Sequence, residues 1–127
     1  MLRCVTIGDT NACTKQTKRA ITEMKHAEKL IARILFLEGT PLVSKLKAMN
    51  IGPNVETQHK NDWQAEFDAI KSYNEGIKLA VELGDNGSQE LLKTILKDEE
   101  EHIDWLEGQL DQIEQVGIQN YLAEQID

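Results

Sequence analysis

Residues 39–54, GTPLVSKLKAMNIGPN, decide how the rest of the chain folds. They hold both prolines of the chain, Pro41 and Pro53, with Gly39 and Gly52 close by, so the stretch reads as a connection with one helical turn around Lys45–Met49. At ~3.3 Å per residue its 16 residues reach ~50 Å, whereas a helix of about 27 residues is only ~40 Å long. Antiparallel neighbours in a bundle need only about 2–8 connecting residues. A connection this long predicts a crossover that runs the length of a bundle and leaves the helices on either side parallel.

Outward from the crossover the chain falls into three long segments without proline: about Asn11–Glu38, about Val55–Leu83 and Ser88 to about Gln115. Gly84-Asp85-Asn86-Gly87 reads as a tight turn that makes the second and third segments antiparallel. Ser88 is the expected N-cap of the third. Gly117 ends that segment, and a short amphipathic helix over 118–126 follows. Each long segment carries apolar residues at the 3.6-residue period. The stripes are Leu30, Ile34, Leu37; then Trp63, Ile70, Tyr73, Ile77, Val81; then Leu92, Ile95, Leu106, Leu110, Ile113. Apart from CVTI at 4–7 there is no strand signal, so the fold class is all-α, a helical bundle built as a single domain over residues 1–127.

Composition narrows the functions open to such a bundle. With 14 Lys+Arg against 22 Asp+Glu the net charge is −8, and an acidic surface repels the phosphates of nucleic acid and of anionic membrane. The longest apolar stretch, Leu30–Leu37, is interrupted by Arg33 and falls far short of the ~20 residues of a membrane span. MLRCVTIGDT at 1–10 has no apolar signal core, so a cytoplasmic location is expected, with Cys4 and Cys13 as reduced thiols without a redox or metal role.

The stripes carry an anomaly. Extended backwards, the first becomes Glu23, His26, Leu30, Ile34, and the third runs Ile95, Glu99, His102, Leu106. Both helices thus place Glu-x-x-His on the face expected to be core, and the second stripe carries Glu66 between Trp63 and Ile70. Burying unpaired carboxylates costs several kcal/mol each, roughly. A metal removes that penalty, since Glu and His one turn apart can ligate one cluster and carboxylate with imidazole suits iron or manganese. Two Glu-x-x-His helices with lone glutamates from other helices form the ligand set of di-iron carboxylate bundles. His59, near a helix start beside Lys60 and Asn61, reads as a solvated surface residue.

At these residues the sequence resembles the bacterioferritin family, the haem-containing ferritins of bacteria. The matching stretches are EMKHAEKLIARILFLEG at 23–39, DEEEHIDWLEGQLDQIEQVGIQNYLAEQI at 98–126 and the helix around Glu66, within a resemblance covering roughly 19–126. The resemblance implies a ferritin-like bundle with one long crossover and a short C-terminal helix used in cage contacts. It implies an iron-storage subunit of a 24-subunit hollow homo-oligomer that oxidises Fe²⁺ with O₂ or peroxide. Glu23 and Glu99 would bridge two irons, His26 would bind one and His102 the other, and Glu66 would be the terminal carboxylate on the iron held by His102. Met24 would be the axial ligand of haem b, paired with its copy in a two-fold related subunit. It lies ~100° around the helix from Glu23, on a flank.

The family carries a further long helix before the one bearing Glu23, and that helix supplies a sixth ligand, on the iron held by His26. Here Asp9 is the sole acid among residues 1–22, and MLRCVTIGDT resembles the end of that helix and its turn. The resemblance therefore implies a chain short of its first helix, with either more chain upstream of Met1 or another subunit covering the groove. It also implies an impaired oxidation site, or a subunit that binds haem and builds the assembly without catalysing, including in mixed cages with complete subunits.

Overall fold

The computed structural model describes residues 10–45, 48, 50 and 52–125, which form helices α1 (Thr10–Phe36), α2 (Val55–Glu82), α3 (Asn86–Val116) and α4 (Ile118–Glu124), with no strand among the described residues. The expectations for CVTI, for MLRCVTIGD as the tail of a preceding helix and for the Cys4 thiol lie outside the described residues, as do the Cys13 side chain and most of the helical turn expected at Lys45–Met49.

The chain divides into two compact units, Met1–Pro41 with Ile113–Asp127, and Leu42–Gln112. The second unit is an α2–α3 hairpin. Gly76 faces Leu92, a Cβ at position 76 standing only 3.1 Å from the Leu92 Cδ1. Further from the turn His102 meets Glu66, and the Trp63 indole donates to the Glu107 carboxylate at 2.9 Å. Partners on α3 rise as those on α2 fall, which is the antiparallel register. Ile95 and Leu106 are fully buried, and Ala80 is buried near the turn. In the first unit α1 accompanies the last residues of α3 and α4, with Ile113 and Tyr121 buried.

The helix ends follow from local chemistry. Asn54 caps α2 by accepting from the Thr57 amide at 2.9 Å. Gln58 and Asn61 donate back to the Gly52 and Asn50 carbonyls, pinning the end of the crossover to the first turns of α2. Ser88 is not the N-cap of α3. Asp85 takes that place, accepting from both the Ser88 amide and the Ser88 hydroxyl, so α3 starts at Asn86 and the turn shortens to 83–85. A carboxylate at the helix N-terminus also meets the positive end of the helix dipole, an advantage Ser lacks.

α1 ends at Phe36, two residues before the expected Glu38. The Gly39 amide reaches the Ile34 carbonyl and the Glu38 amide reaches Leu35, a Schellman closure with Glu38 at φ 61 where glycine is usual. α2 closes the same way, with Asp85 to Ala80, Gly84 to Val81, and Gly84 at φ 69. α2 thus ends one residue before the expected Leu83, α3 runs one beyond Gln115, and α4 ends at Glu124.

The stripes hold in the middle of α2 and along α3 and fail at the ends. Ile34 and Leu37 on the first stripe and Val81 on the second are exposed. Near the turn Ala80 is the buried residue, because a straight 3.6-residue helix drifts away from a strict i, i+4 step.

Candidate functional site

In α1, Glu23 and His26 stand one turn apart, with the His26 Nδ1 3.7 Å from a Glu23 oxygen. Their surroundings differ. His26 is buried, whereas the Glu23 side chain is 46% exposed and pairs with Arg19, one turn earlier. The expectation that Glu23 points wholly into the core is corrected: a carboxylate with a guanidinium within reach on its own helix is stabilised at the surface.

In the α2–α3 hairpin the register brings Glu66 to His102, with the His102 Nδ1 2.8 Å from the Glu66 Oε1. Both side chains are largely buried, at 12% and 17% exposure. Glu99, one turn before His102, is 2% exposed. Glu66 thus sits beside His102, one turn on from Glu99.

His59 is not a solvated residue. It is 8% exposed and stands edge-on to Trp105, centroids 5.7 Å apart. Trp105 in turn stacks on His102 at 6.0 Å and 12°. Burial, and secondly the positive charge of a protonated His102, push the His59 pKa below its ordinary value. Burial pushes Asp62 upward, with Glu66 adding to the rise and His102 opposing it. Sequence reasoning missed His59 and Trp105 as parts of this region. The signal was present: His59, Trp63, Glu66 and Ile70 continue one helical face, and Trp105 lies one turn past His102. The flanking Lys60 and Asn61 obscured it.

The donor set fits a hard cation. Glu23 and His26 in the first unit, and Glu66, Glu99 and His102 in the second, are carboxylate and imidazole donors of the type that hold a metal ion. A carboxylate as deeply buried as Glu99 is stable only with its charge compensated. Met24, on the flank of α1, is 65% exposed, leaving its thioether accessible.

Comparison with known proteins gives this donor set its context. Residues 4–116 match the ferritin-like domain family. A bacterioferritin of Brucella melitensis biotype 1 is 41% identical over 114 residues, spanning 90% of this chain and 71% of the relative. The chain belongs to the bacterioferritin family. The bacterioferritin of Rhodobacter capsulatus is 39% identical over 84% of this chain and 66% of its own length. A bacterial ferritin of Neisseria meningitidis serogroup A is 43% identical over 82% and 68%. This bacterioferritin-family chain has the ferritin-like all-α fold, and none of its described helices is long and apolar enough to cross a membrane.

Proposed function

We propose that the chain is an iron-storage subunit that takes up Fe²⁺ as its substrate and oxidises it, using Glu23, His26, Glu66, Glu99 and His102 as ligands to two irons. Glu23 and Glu99 bridge, His26 and His102 each hold one iron, and Glu66 completes the shell at His102. The observation that carries this reading is the Glu99 carboxylate, 2% exposed and one turn from the His102–Glu66 pair. Two Fe²⁺ give one electron each to peroxide, which with two protons yields two waters, or to O₂, which with two protons yields peroxide. The residues hold the cations at fixed positions, and the net charge of −8 raises the local cation concentration.

The family resemblance implies a sixth ligand on the iron beside His26; a polypeptide without it would hold that iron weakly and oxidise slowly or incompletely. The test is anaerobic Fe²⁺ titration followed by stopped-flow oxidation. Saturable uptake that is lost in Glu99→Ala, with slow oxidation, supports the reading. Oxidation at a full di-iron rate contradicts the impaired site, and the absence of saturable uptake overturns the ferroxidase.

A second reading is favoured by the exposed Met24: a haem-binding or structural subunit. Here Met24 and its copy in a two-fold related subunit would hold haem b, and the chain would build a cytoplasmic cage, either as a homo-oligomer or mixed with catalytic subunits. A Soret band that disappears in Met24→Leu, with no iron oxidation by the parent chain, supports this reading over the first.

A further inference from the structure

His59 and Ala80 are the buried residues of α2. Ala80 lies against the turn and needs no explanation beyond packing. An imidazole in the interior does, because apolar side chains fill such a position at no desolvation cost. The ligand set proposed above gives His59 no task.

Its surroundings supply one. His59 meets Trp105 at 5.7 Å with the rings 88° apart, and Trp105 lies nearly parallel to His102, 12° apart at 6.0 Å. His102 is also held through the 2.8 Å contact of Nδ1 with Glu66. His59 and Glu66 are seven residues apart on α2, about two turns or ~10 Å. α2 therefore grips the His102 ring at two points, directly through Glu66 and indirectly through the Trp105 indole.

We propose that His59 is a positioning residue for His102: it wedges edge-on against Trp105, and the stacked indole fixes the plane in which the His102 imidazole meets its cation. An indole has two free side-chain torsions, and a flat ring packed at right angles removes the freedom of both. A leucine of similar bulk fills the volume without presenting a flat edge. The imidazole also stays neutral at neutral pH, since burial disfavours its charged form, so the wedge adds no positive charge beside a bound cation. The proposal rests on the reading that His102 is a metal ligand.

Co²⁺ is the probe, because its visible absorption reports both occupancy and ligand geometry without any turnover. Titration of the full chain and of His102→Gln identifies the binding step that depends on His102. His59→Leu, which preserves apolar burial and hence folding, weakens that step by about tenfold, the loss typical when a residue supporting a metal ligand is removed, and broadens the Co²⁺ band. His59→Phe restores both to near the parent values, because the flat ring returns. Trp105→Leu gives the same loss as His59→Leu, and the double variant is no worse than either, since the two act through one contact. An unchanged His102-dependent step in His59→Leu overturns the proposal. So does a His59→Phe as weak as His59→Leu, or losses that add in full in the double variant. If His102→Gln itself leaves the Co²⁺ titration unchanged, the metal reading fails and this inference with it, an outcome distinct from the others.

Discussion

Between pH 7 and pH 5 an exposed histidine takes up a proton, and His59 resists doing so. Its folded-state pKa lies below the ordinary value, for burial first and the nearby His102 second. In the window between the lowered value and about 6.5 the unfolded chain binds a proton that the native chain does not. The His59 contribution to stability is therefore fully present above about pH 6.5 and is lost as the pH falls through that window. His59→Phe cannot protonate, so denaturant midpoints measured at pH 7 and pH 5 should fall less in the variant than in the parent. An equal fall would show that His59 titrates as a solvated residue. Gly52 gives a second expectation at this scale. A Cβ there would stand 2.7 Å from backbone atoms of Thr57 and Gln58, so Gly52→Ala must displace the start of α2. It should cost about 1–3 kcal/mol in urea unfolding, the range for forced overpacking.

At the scale of elements the helix ends carry the predictions. Asp85→Ala removes the acceptor for the Ser88 amide and hydroxyl and should destabilise the chain by about 1 kcal/mol, as N-cap losses do. Ser88→Ala leaves the Asp85–amide bond in place and should cost less than Asp85→Ala. The reverse order in urea unfolding would restore Ser88 as the cap. Glu38 stands at φ 61 in a closure that favours glycine, so Glu38→Gly should raise stability by up to ~1 kcal/mol, while Gly84→Ala at φ 69 should lower it by ~1 kcal/mol. These ends also mark how far the elements were legible from the sequence. Apolar periodicity and the two Gly/Pro clusters located all four helices to within a few residues. The cap of α3 is not legible in the sequence, because Asp85 and Ser88 are both good N-caps and only the backbone path chooses between them. The exposure of Val81 and Leu37 is not legible either, because periodicity says nothing about where a helix loses its neighbours.

At the scale of the molecule, large apolar side chains are left at the surface, among them Leu35, Phe36, Leu42 and Leu83, with Phe36 at 73% exposure. Such surface supports the proposed assembly, and light scattering of the parent chain should show oligomers; a monodisperse monomer would count against the cage. Metal binding should stabilise the whole. At a hundredfold excess of Co²⁺ over Kd, binding contributes about 2.7 kcal/mol, which for a chain of this size raises Tm by roughly 10 °C. Glu99→Ala should lose most of that shift, and a shift preserved in the variant would remove Glu99 from the ligand set.

The sequence by itself determined the all-α class, the long connection between α1 and α2, the two Glu-x-x-His motifs and the family, because each rests on local periodicity or on residue identity at fixed spacing. Tertiary structure alone decided the environment of each ionisable group. Glu23, with Arg19 one turn away, stays exposed, while Glu99 in the same motif is buried. His59, flanked by Lys60 and Asn61, lies inside because the α2–α3 register sets it against Trp105. Burial and contact across a hairpin depend on register and on the neighbouring helix. A one-dimensional pattern lists the residues on a face but not what that face meets.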